Sequence, residues 1–589
     1  MRIAVLAKQI PRPAEMALAG GRLVRDGVSL ETNAYCRRAN ARAVQLAGDG
    51  GEVVVFSMGP PSAELTLREM VACGATRAVL VSDPALAGSD TLITARVLAA
   101  AITREGPFDM VLTGARSLDS ETGHIGVQLA ELLGLPFIGP CRVLDILDGV
   151  AIATVESEGG YVDVEVLLPT VASCAERLCS PSKGTPEQIA AVAADRVTTV
   201  RARDLGLEPG RVGLGASPTR VGDDVRDMTA GGRTRMRATS VDDAMRLLDG
   251  LGEAGKSPAA GEPASPAGPA AEAVWCVLDP TAGQADVGLL DATAAVARRA
   301  GRRTVAVVGE VPDGVASRVS QVVRLSGPDA PEDWCAPLLE RLLAAPAHCV
   351  VVEGTNWGRE MAARMAARIG WGLVGDAVDV TVEGGRLIAW KSAFSGQAIV
   401  PITSSSPTLL VTVRPGVLSG PAVTLRGSAS IETVPAVSRT RVIYSPGRDL
   451  DTAGRELSRA RRLIVVGAGV APEDYHLLEE LRSLLGAGPL AATRKVTDRG
   501  WLPRSRQIGI TGRAVAPDLV VSIAANGGFN HAVGFNRATR VLAINRDPDA
   551  DIFGQADVGI VGEWQEVVAQ LCEALRARRT GAVSARERV

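Results

Sequence analysis

The chain has 589 residues, which is too long for one hydrophobic core and predicts three or four domains. Hydrophobic residues make up 46% of it and aromatic residues only 3%, a balance that suits α/β layers of small side chains. The 63 Lys and Arg residues are balanced by 66 Asp and Glu residues, and no basic stripe stands out as a binding surface for a phosphate backbone. Nucleic-acid partners are therefore disfavoured.

Two further classes of protein are also disfavoured. No apolar run approaches the roughly 20 residues that cross a bilayer, and the opening MRIAVLAKQIP becomes polar too early for a signal peptide, so we expect a cytoplasmic protein that is not integral to the membrane. The nine cysteines form no CxxC pair, and His124, His348, His476 and His531 show no ligand spacing. We therefore expect no structural metal, haem or iron–sulfur cluster.

The first region reads as alternating strands and helices. Short β-branched-rich apolar runs begin near positions 3, 53, 78 and 110. Between the third and the fourth, DTLITARVLAAAITREG has apolar residues at helical spacing. Buried parallel strands that alternate with helices predict an α/β unit.

A change of composition divides the chain. Residues 250–271 consist almost wholly of Ala, Pro, Gly, Ser and Glu, which is a linker composition. Beyond it, strand-like runs begin at 274, 304, 349 and 408, and a last group begins at 462, 518, 540 and 557. We predict domains at 1–249, 272–445 and 446–589, joined by the linker 250–271, each an α/β fold with a parallel sheet of the Rossmann-like or adenine-nucleotide-hydrolase-like kind.

The last region carries the clearest candidate for a nucleotide site. Asn526-Gly527-Gly528-Phe529-Asn530-His531 follows the apolar run VVSIAA, where bare glycine N–H groups suit a pyrophosphate. His531 would place a donor beside a flavin's pyrimidine carbonyl. The turn is not GxGxxG, however, so an ordinary turn followed by a capping or core histidine fits the same residues.

Four more polar residues in this region suit the same site, and each also has an ordinary structural alternative. Arg494 would hold positive charge over an isoalloxazine ring, or is a solvated arginine. Thr511 would donate a hydroxyl hydrogen bond, or is a cap. Asn545 and Asp557 suit ribose or adenine recognition, or are turn residues.

The amino-acid sequence of this region resembles that of a known family. TRKVTDRGWLP, QIGITGRAVAPDLVV, ANGGFNHAVGF and VLAINRDPDADIFGQADVGIV are similar to the FAD domain of the electron-transfer flavoprotein alpha subunit. The resemblance implies a doubly wound FAD-binding domain in which Arg494 lies against the flavin ring, Thr511 contacts its N5 edge and His531 its pyrimidine side. It implies that FAD is held by Thr493, Arg494, Gly509, Thr511, Gly512, Asn526, Gly527, Gly528, Asn530, His531, Asn545 and Asp557.

This chain departs from the family pattern at several positions. Thr493 stands where the family usually has Ser, Ile510 where Gln is common, and Asn530 where Gln precedes the His. Ala468 replaces an Arg of a GGRG turn, which removes one positive charge near the phosphates. The departures leave FAD as the expected cofactor and put its affinity and potential in doubt.

The rest of the chain resembles the same family. VVVEGTNWGREMAARMAARIG and TLLVTVRPGVL are similar to the first domain of the alpha subunit. AKQIPRP, TLREMVACGATRAVLVSD and GARSLDSETGHIGVQLAELLGLP are similar to the beta subunit. The resemblance implies that both subunits are fused in one chain, beta first.

A second nucleotide site follows from the beta resemblance. In that subunit the matching pocket holds AMP, or a second FAD in electron-bifurcating members, and the matching residues are Ala7, Asn33, Ser57, Asp119, Glu121, Thr122, His124 and Ile125. The residues themselves show an acidic, Gly-interrupted turn before a helix, which also fits a plain capped helix start. His124 stands where the family has Gln, so AMP, FAD and an empty pocket all stay open.

The beta resemblance also implies a partner-recognition loop. Its residues here include Arg177, Leu178, Pro181, Thr185 and Pro186. Thr185 replaces the apolar anchor Leu, and losing a buried anchor costs on the order of 2 kcal/mol. We expect a partner other than a standard acyl-CoA dehydrogenase.

These observations predict an electron carrier rather than a substrate-converting enzyme. Its FAD would accept electrons from a flavin-dependent or other dehydrogenase and pass them singly, through a semiquinone, to a quinone oxidoreductase or another redox acceptor. Two alternatives stay open: a bifurcating oxidoreductase that oxidises NADH at a second FAD, and a nucleotide-binding protein without redox work.

Overall fold

The computed structural model describes residues 1–12, 18–19, 22–157, 160–222, 236–238, 240–249, 273–282, 285–393, 398–418, 420, 423–425, 429–445, 456–457, 460–509, 512–513, 515, 517–535 and 538–586. We divide it into three regions along the chain. The elements of the first region are β1 (Arg2–Leu6), β2 (Gln9–Pro11), β3 (Leu18–Ala19), β4 (Arg22–Leu23), β5 (Leu30–Thr32), α1 (Ala34–Ala47), β6 (Glu52–Met58), α2 (Glu64–Ala72), β7 (Arg77–Val81), α3 (Thr91–Glu105), β8 (Met110–Gly114), α4 (Ile125–Leu133), β9 (Phe137–Leu147), β10 (Val150–Ser157), β11 (Gly160–Leu167), β12 (Thr170–Cys174), α5 (Pro186–Ala190), β13 (Val197–Val200), α6 (Gly213–Ala216), β14 (Thr219–Val221), β15 (Met236–Ala238) and α7 (Val241–Asp249).

The second and third regions continue the alternation of strands and helices. The second contains β16 (Val274–Val277), α8 (Val287–Arg299), β17 (Thr304–Val308), β18 (Gln321–Ser326), α9 (Pro331–Ala344), β19 (Cys349–Glu353), α10 (Asn356–Ile369), β20 (Leu373–Glu383), β21 (Arg386–Ala393), β22 (Ala398–Ser404), β23 (Leu409–Val413), β24 (Ser430–Pro435) and β25 (Ile443–Tyr444). The third contains β26 (Arg462–Val466), α11 (Glu479–Leu485), β27 (Ala491–Ala492), α12 (Arg494–Asp498), β28 (Leu519–Ile523), α13 (Phe529–Ala532), β29 (Arg540–Asn545), β30 (Val558–Val561) and α14 (Trp564–Arg586). The apolar runs of the sequence all form strands, which confirms the predicted α/β class.

The first two regions have the same sheet order. The first sheet runs β13-β7-β6-β1-β8-β12-β9-β10-β11-β25, and the second runs β24-β18-β17-β16-β19-β23-β20-β21-β22-β14. In each sheet seven parallel strands lead into an antiparallel three-stranded ribbon. The two regions are therefore structural repeats of one α/β unit.

The repeats exchange their edge strands. β25, from the second region, pairs antiparallel with β11 of the first, while β14, from the first region, pairs antiparallel with β22 of the second. Each strand occupies the same edge of its host sheet. Reciprocal pairing of this kind ties the two repeats together through backbone hydrogen bonds as well as side chains.

A buried ion-pair cluster lies where the repeats meet. Arg364 on α10 is 1% exposed, and its guanidinium contacts Glu131 of α4 at 3.3 Å, Glu360 at 2.9 Å and Glu332 at 3.8 Å. Apolar residues of both helices belong to one continuous core around it. The interface between the repeats is thus built like a protein interior.

The third sheet includes a strand from the far side of the linker. Its order is β15-β30-β29-β28-β26-β27, and all of these pairs are parallel. α7 follows β15 and buries Ala244 in the core of the third region. The sequence boundary at 249 assigns this segment to the first region, whereas here it packs on the third, so the predicted division into domains remains a proposal.

Among the helices of the described residues, none is both long enough and apolar enough to span a membrane.

Candidate nucleotide site

The third sheet brings five strand ends to one edge. β26, β27, β28, β29 and β30 lie in the spatial order 2-1-3-4-5, so the direction in which successive strands are added to the sheet reverses between β26 and β28. Open parallel sheets form a crevice at the carboxyl ends of their strands at such a switch point. A ligand site is therefore expected just beyond these two strands.

A cavity of about 700 Å³ lies there. Its lining comes from the residues that follow all five strands and from the loop before β28: Ala468, Gly469, Thr493, Arg494, Lys495, Asp498, Gln507, Ile508, Gly509, Ala524, Ala525, Asn526, Gly527, Gly528, Asn530, His531, Asn545, Arg546, Asp547, Gly562, Glu563, Trp564 and Gln565. This volume is within the range of cofactor sites. The 23-residue helix α14 begins at the cavity, so unpaired N–H groups of its first turn lie beside the lining residues.

The glycine turn after β28 is shaped by a close backbone approach. Gly527 has φ +82°, and a Cβ there would lie 2.2 Å from the Cα of Ile552. Ile552 N donates to Asn526 O at 2.7 Å, and Asn545 Nδ2 donates to Ala525 O at 2.9 Å. Gly528, in contrast, has nothing within 4 Å of a built Cβ, so its bare backbone faces open space.

His531 is held by the neighbouring loop. Its Nδ1 lies 3.0 Å from Ile508 O, while its Nε2 is buried without a hydrogen-bond partner among the described residues. Ile508 N in turn donates to Ala492 O at 2.9 Å, which fixes that loop to the end of β27. Burial lowers the pKa of His531 to about 4, and the Ile508 carbonyl acts weakly in the opposite direction. The ring is therefore neutral near pH 7.

Arg494 lines the cavity but is not a free cation. Its guanidinium contacts Asp498 at 3.2 Å and Glu176 of the first region at 3.6 Å. Glu176 also lies 3.7 Å from Arg504. Although burial works against it, the arginines lower the pKa of Glu176, chiefly Arg494 and then Arg504. The positive charge predicted for a flavin ring is thus partly balanced by carboxylates.

Most of the residues that the sequence singled out meet at this cavity. Thr493, Arg494, Gly509, Asn526, Gly527, Gly528, Asn530, His531 and Asn545 all line it. Thr511 and Ile510 lie outside the described residues. Asn530 also makes a contact between regions, since Ser392 Oγ donates to its Oδ1 at 2.9 Å.

Two predicted residues lie elsewhere. Gly512 lines a second cavity, and its carbonyl accepts a hydrogen bond from Arg414 at 2.7 Å. Asp557 precedes β30 rather than following it, and its carboxylate accepts from Val541 N at 2.7 Å. The structure therefore places Asp557 at the opposite end of the strand from the cavity.

Sequence reasoning missed several lining residues. Lys495, Asp498, Arg546, Asp547, Glu563, Trp564 and Gln565 were not singled out. Arg546, Asp547 and Glu563 follow β29 and β30 directly, so reading every position after a parallel strand would have found them.

A smaller cavity of about 290 Å³ lies where the three regions meet. Of the residues predicted for a second nucleotide, Glu121 and Thr122 line it, and Ala7, Asn33, Ser57, Asp119, His124 and Ile125 do not. Those six are buried apart from Ile125, which is half-buried, and His124 packs against Gly375 of the second region. Asp119 is paired with Lys8 at 2.7 Å, and Asn33 Nδ2 donates to Arg116 O at 2.9 Å.

Unpaired buried polar atoms are concentrated beside this smaller cavity. Within the described residues, seven buried atoms here have no partner: both ring nitrogens of His124, both amide atoms of Gln128, the hydroxyl of Thr113, Asn33 Oδ1 and Glu121 Oε1. Burial, followed by the Lys391 ammonium, lowers the pKa of His124 to about 3. Buried polar groups normally have partners, so this interior is suited to bound water or a polar ligand.

The predicted partner loop is only partly exposed. Thr185 caps α5, with Gln188 N donating to its hydroxyl at 3.3 Å, and both Thr185 and Pro186 face solvent. Pro181 is also exposed, whereas Leu178 packs on the core of the first region. Arg177 donates to Thr497 O of the third region, so one end of the loop is tied to the domain with the large cavity.

A doubly wound sheet with a deep cavity at its switch point defines a nucleotide-binding class of α/β protein. Comparison with known proteins gives the family. The electron transfer flavoprotein domain matches residues 21–205 and 283–438, and the electron transfer flavoprotein FAD-binding domain matches residues 456–536. The chain belongs to the electron transfer flavoprotein family and contains its FAD-binding domain.

Individual relatives agree with this assignment. The chain is 34% identical over 226 residues to electron transfer flavoprotein subunit alpha of Bacillus subtilis, covering 38% of this chain and 69% of that protein. It is 35% identical over 247 residues to caffeyl-CoA reductase-Etf complex subunit CarD of Acetobacterium woodii, covering 41% and 94%. Protein FixB of Bradyrhizobium diazoefficiens is 30% identical over 256 residues, covering 42% and 69%.

Proposed function

We propose that this protein is an FAD-containing electron carrier in which a beta-like part precedes an alpha-like part in one chain. It accepts electrons from a partner dehydrogenase and passes them to a second redox protein. The observation that carries the proposal is the cavity at the switch point of the domain that matches the family's FAD-binding domain.

The order of the chain supports the fusion. The electron transfer flavoprotein domain matches twice, and the two matched stretches fall in the two structural repeats, before the FAD-binding domain. Exchange of β14 and β25 gives the repeats the reciprocal contacts that two subunits of a heterodimer would make. A linker at 250–271 then keeps one half at high effective concentration for the other.

The cavity fits FAD in its polar groups and its space. Gly528 offers unobstructed backbone, the start of α14 offers N–H groups, and His531 Nε2 is a buried polar atom without a partner among the described residues. Lys495 and Arg546, which also line the cavity, supply positive charge for a pyrophosphate. When bound, FAD supplies the one-electron chemistry that the protein side chains lack.

The residues of the chain would hold and shield that group. Gly527 lets the turn after β28 approach Ile552 closely, so the backbone there has little freedom to move. Ser392, through Asn530, and Arg414, through Gly512 O, dock the loops of the site against the second region. These contacts would exclude water from one side of the cavity and set the distance to a partner.

The role of Arg494 is tested by a redox titration of the FAD-loaded chain. Arg494→Ala removes a cation beside the ring and is expected to lower the reduction potential, by less than an unpaired arginine would because Asp498 and Glu176 share its charge. Arg499→Ala is the matched control, since Arg499 lies over the Trp501 ring and does not line the cavity. An unchanged potential in Arg494→Ala would contradict the role.

A second candidate function is electron bifurcation, with a second FAD that takes electrons from NADH. The observation that favours it is the group of unpaired buried polar atoms near Glu121, Thr122 and His124. A second observation is the likeness to a subunit of a caffeyl-CoA reductase-Etf complex. Two FAD per chain together with bleaching of the flavin by NADH would favour this reading, whereas one FAD with one AMP would favour the simple carrier.

A protein that binds nucleotides without redox work is the third candidate. It would be colourless when purified and would release AMP or ADP but no flavin.

A further inference from the structure

The contact between His531 and Ile508 determines which ring nitrogen carries the proton. A carbonyl oxygen accepts hydrogen bonds and donates none, so Nδ1 at 3.0 Å from Ile508 O must be protonated. A neutral imidazole has one N–H, and Nε2 is then a bare acceptor. This reverses the expectation from the sequence, in which His531 is a donor towards the ligand.

The surroundings keep the ring in this state. Gly509 has φ +139°, and a Cβ there would lie 2.5 Å from Asn530 O and 3.2 Å from His531 Cα, so only glycine lets the Ile508 loop approach. Phe535 packs edge-on against the ring at 5.2 Å. In the part of the chain that the structure describes, Nε2 has no partner, and it belongs to a residue that lines the cavity.

We propose that the Ile508 carbonyl holds His531 in the Nδ1–H tautomer, and that Nε2 takes up a proton from solvent when a group bound in the cavity gains negative charge. The second half of this inference rests on the proposed function; the first half does not. One N–H bond forms at Nε2 and one O–H bond of a hydronium ion or buffer acid in solvent breaks, while the electron comes from the partner dehydrogenase. His531 would therefore take up a proton when the bound group receives its first electron, and Nε2 would not donate a hydrogen bond before that step.

Charged groups of both signs line the same cavity as the ring. They are Arg494, Lys495 and Asp498 on α12, Arg546 and Asp547 after β29, and Glu563 before α14. From the second region, Ser392 reaches Asn530 and Arg414 reaches Gly512 O. Burial is the main reason that the pKa of His531 lies near 4 without a ligand, so new negative charge nearby is expected to raise it.

The tautomer is tested by ¹⁵N NMR of histidine-labelled full-length protein without flavin. Four histidines give a simple spectrum, and His476→Gln and His531→Gln assign the two relevant signals. His476 is a useful comparison, since its Nδ1 also lies near a carbonyl, Glu473 O at 2.6 Å, but the residue is exposed. At pH 7 we expect His531 neutral with a proton on Nδ1; a proton on Nε2, or an imidazolium, would overturn the inference.

Proton uptake is tested by electrochemical reduction of the FAD-loaded chain in weakly buffered solution with a pH indicator. Between pH 5 and 8 we expect the wild type to take up more protons with the first electron than His531→Gln, by at most one, because a glutamine amide can donate without gaining a proton. His476→Gln should match the wild type. Equal uptake in all three proteins would overturn the coupling.

The two measurements separate this inference from the proposed function. A chain that binds no FAD but shows the Nδ1–H tautomer would contradict the carrier and the coupling while upholding the tautomer. A chain that binds and reduces FAD but shows the other tautomer would uphold the carrier and overturn the inference.

Discussion

Gly509 illustrates how far single backbone positions control the candidate site. Its φ of +139° and the 2.5 Å approach of a built Cβ to Asn530 O leave no space for a side chain. Gly509→Ala is expected to move the Ile508 carbonyl away from His531, to lower FAD affinity at least tenfold and to cost on the order of 1–3 kcal/mol of stability.

The control for this variant is Gly500→Ala. Gly500 also has a positive φ, +75°, but a Cβ there meets nothing within 4 Å. It carries the conformational cost without the clash, so FAD binding measured by fluorescence should be nearly unchanged. Equal loss of FAD in both variants would show that the close approach of Gly509 is unimportant.

His124 should make stability depend on pH. Its pKa falls from an ordinary 6.5 to about 3 on folding, because burial and Lys391 disfavour the charged ring. The unfolded chain therefore binds more protons below pH 6.5, and the free energy of unfolding should fall as pH drops from 6.5 towards 3.

His124→Gln should flatten that dependence by up to about 2 kcal/mol between pH 7 and 5, measured by urea unfolding at each pH. His476→Gln, at an exposed position, serves as the control and should leave the profile as in the wild type. A profile unchanged by His124→Gln would mean that the ring is not buried in its neutral form.

At the level of single residues, the structure brings together at one cavity several polar residues that follow strands in the sequence, and their role in holding FAD stays a prediction. Asn526, Gly527 and Asn545 lie at the cavity because parallel strands end at one edge. Asp557 does not line the cavity, because it precedes its strand. The ion pairs of Arg494 with Glu176, some 320 positions away along the chain, depend on how the regions dock, which no local pattern encodes.

Among the secondary-structure elements, α4 and α10 form a buried contact between the repeats. Arg364 is buried among three glutamates, and removing one partner of a buried ion pair leaves the others uncompensated. Arg364→Ala is expected to destabilise the first two regions by about 3 kcal/mol or more in urea unfolding.

Arg461→Ala is the matched control for the ion pair. Arg461 pairs with Asp518 at 2.7 Å but its side chain is 81% exposed, so the loss should stay within about 0.5 kcal/mol. If both variants lose the same free energy of unfolding, the burial of Arg364 does not explain the contribution of its cluster to stability.

The strands themselves were largely predictable, but their pairing was not. Short β-branched runs in the sequence predicted the parallel strands at the centre of all three sheets, because such runs are typical of strands buried on both faces. The edge strands β14, β15 and β25 have two or three residues each, and each pairs with a sheet of another region. Runs of two or three residues show no detectable hydrophobic periodicity, so the exchange of edge strands could not be predicted from the sequence.

For the whole molecule, the exchange predicts that the two halves stay together without the covalent link. A protease site inserted within residues 255–265 of the Pro/Ala-rich segment should yield two fragments on denaturing gels that still co-elute in size exclusion. β14 and β15 of the first fragment pair with strands of the second, which supports association. Fragments that separate at micromolar concentration would contradict a fused heterodimer.

The central claim is that the cavity at the switch point of the third sheet carries FAD for electron transfer. The most direct test is to release the bound nucleotides from the purified full-length chain with acid and to quantify FAD and AMP against protein. We predict at least one FAD per chain, with an absorbance spectrum that bleaches on reduction and recovers in air. A colourless protein that neither releases FAD nor takes it up when it is added would contradict the claim.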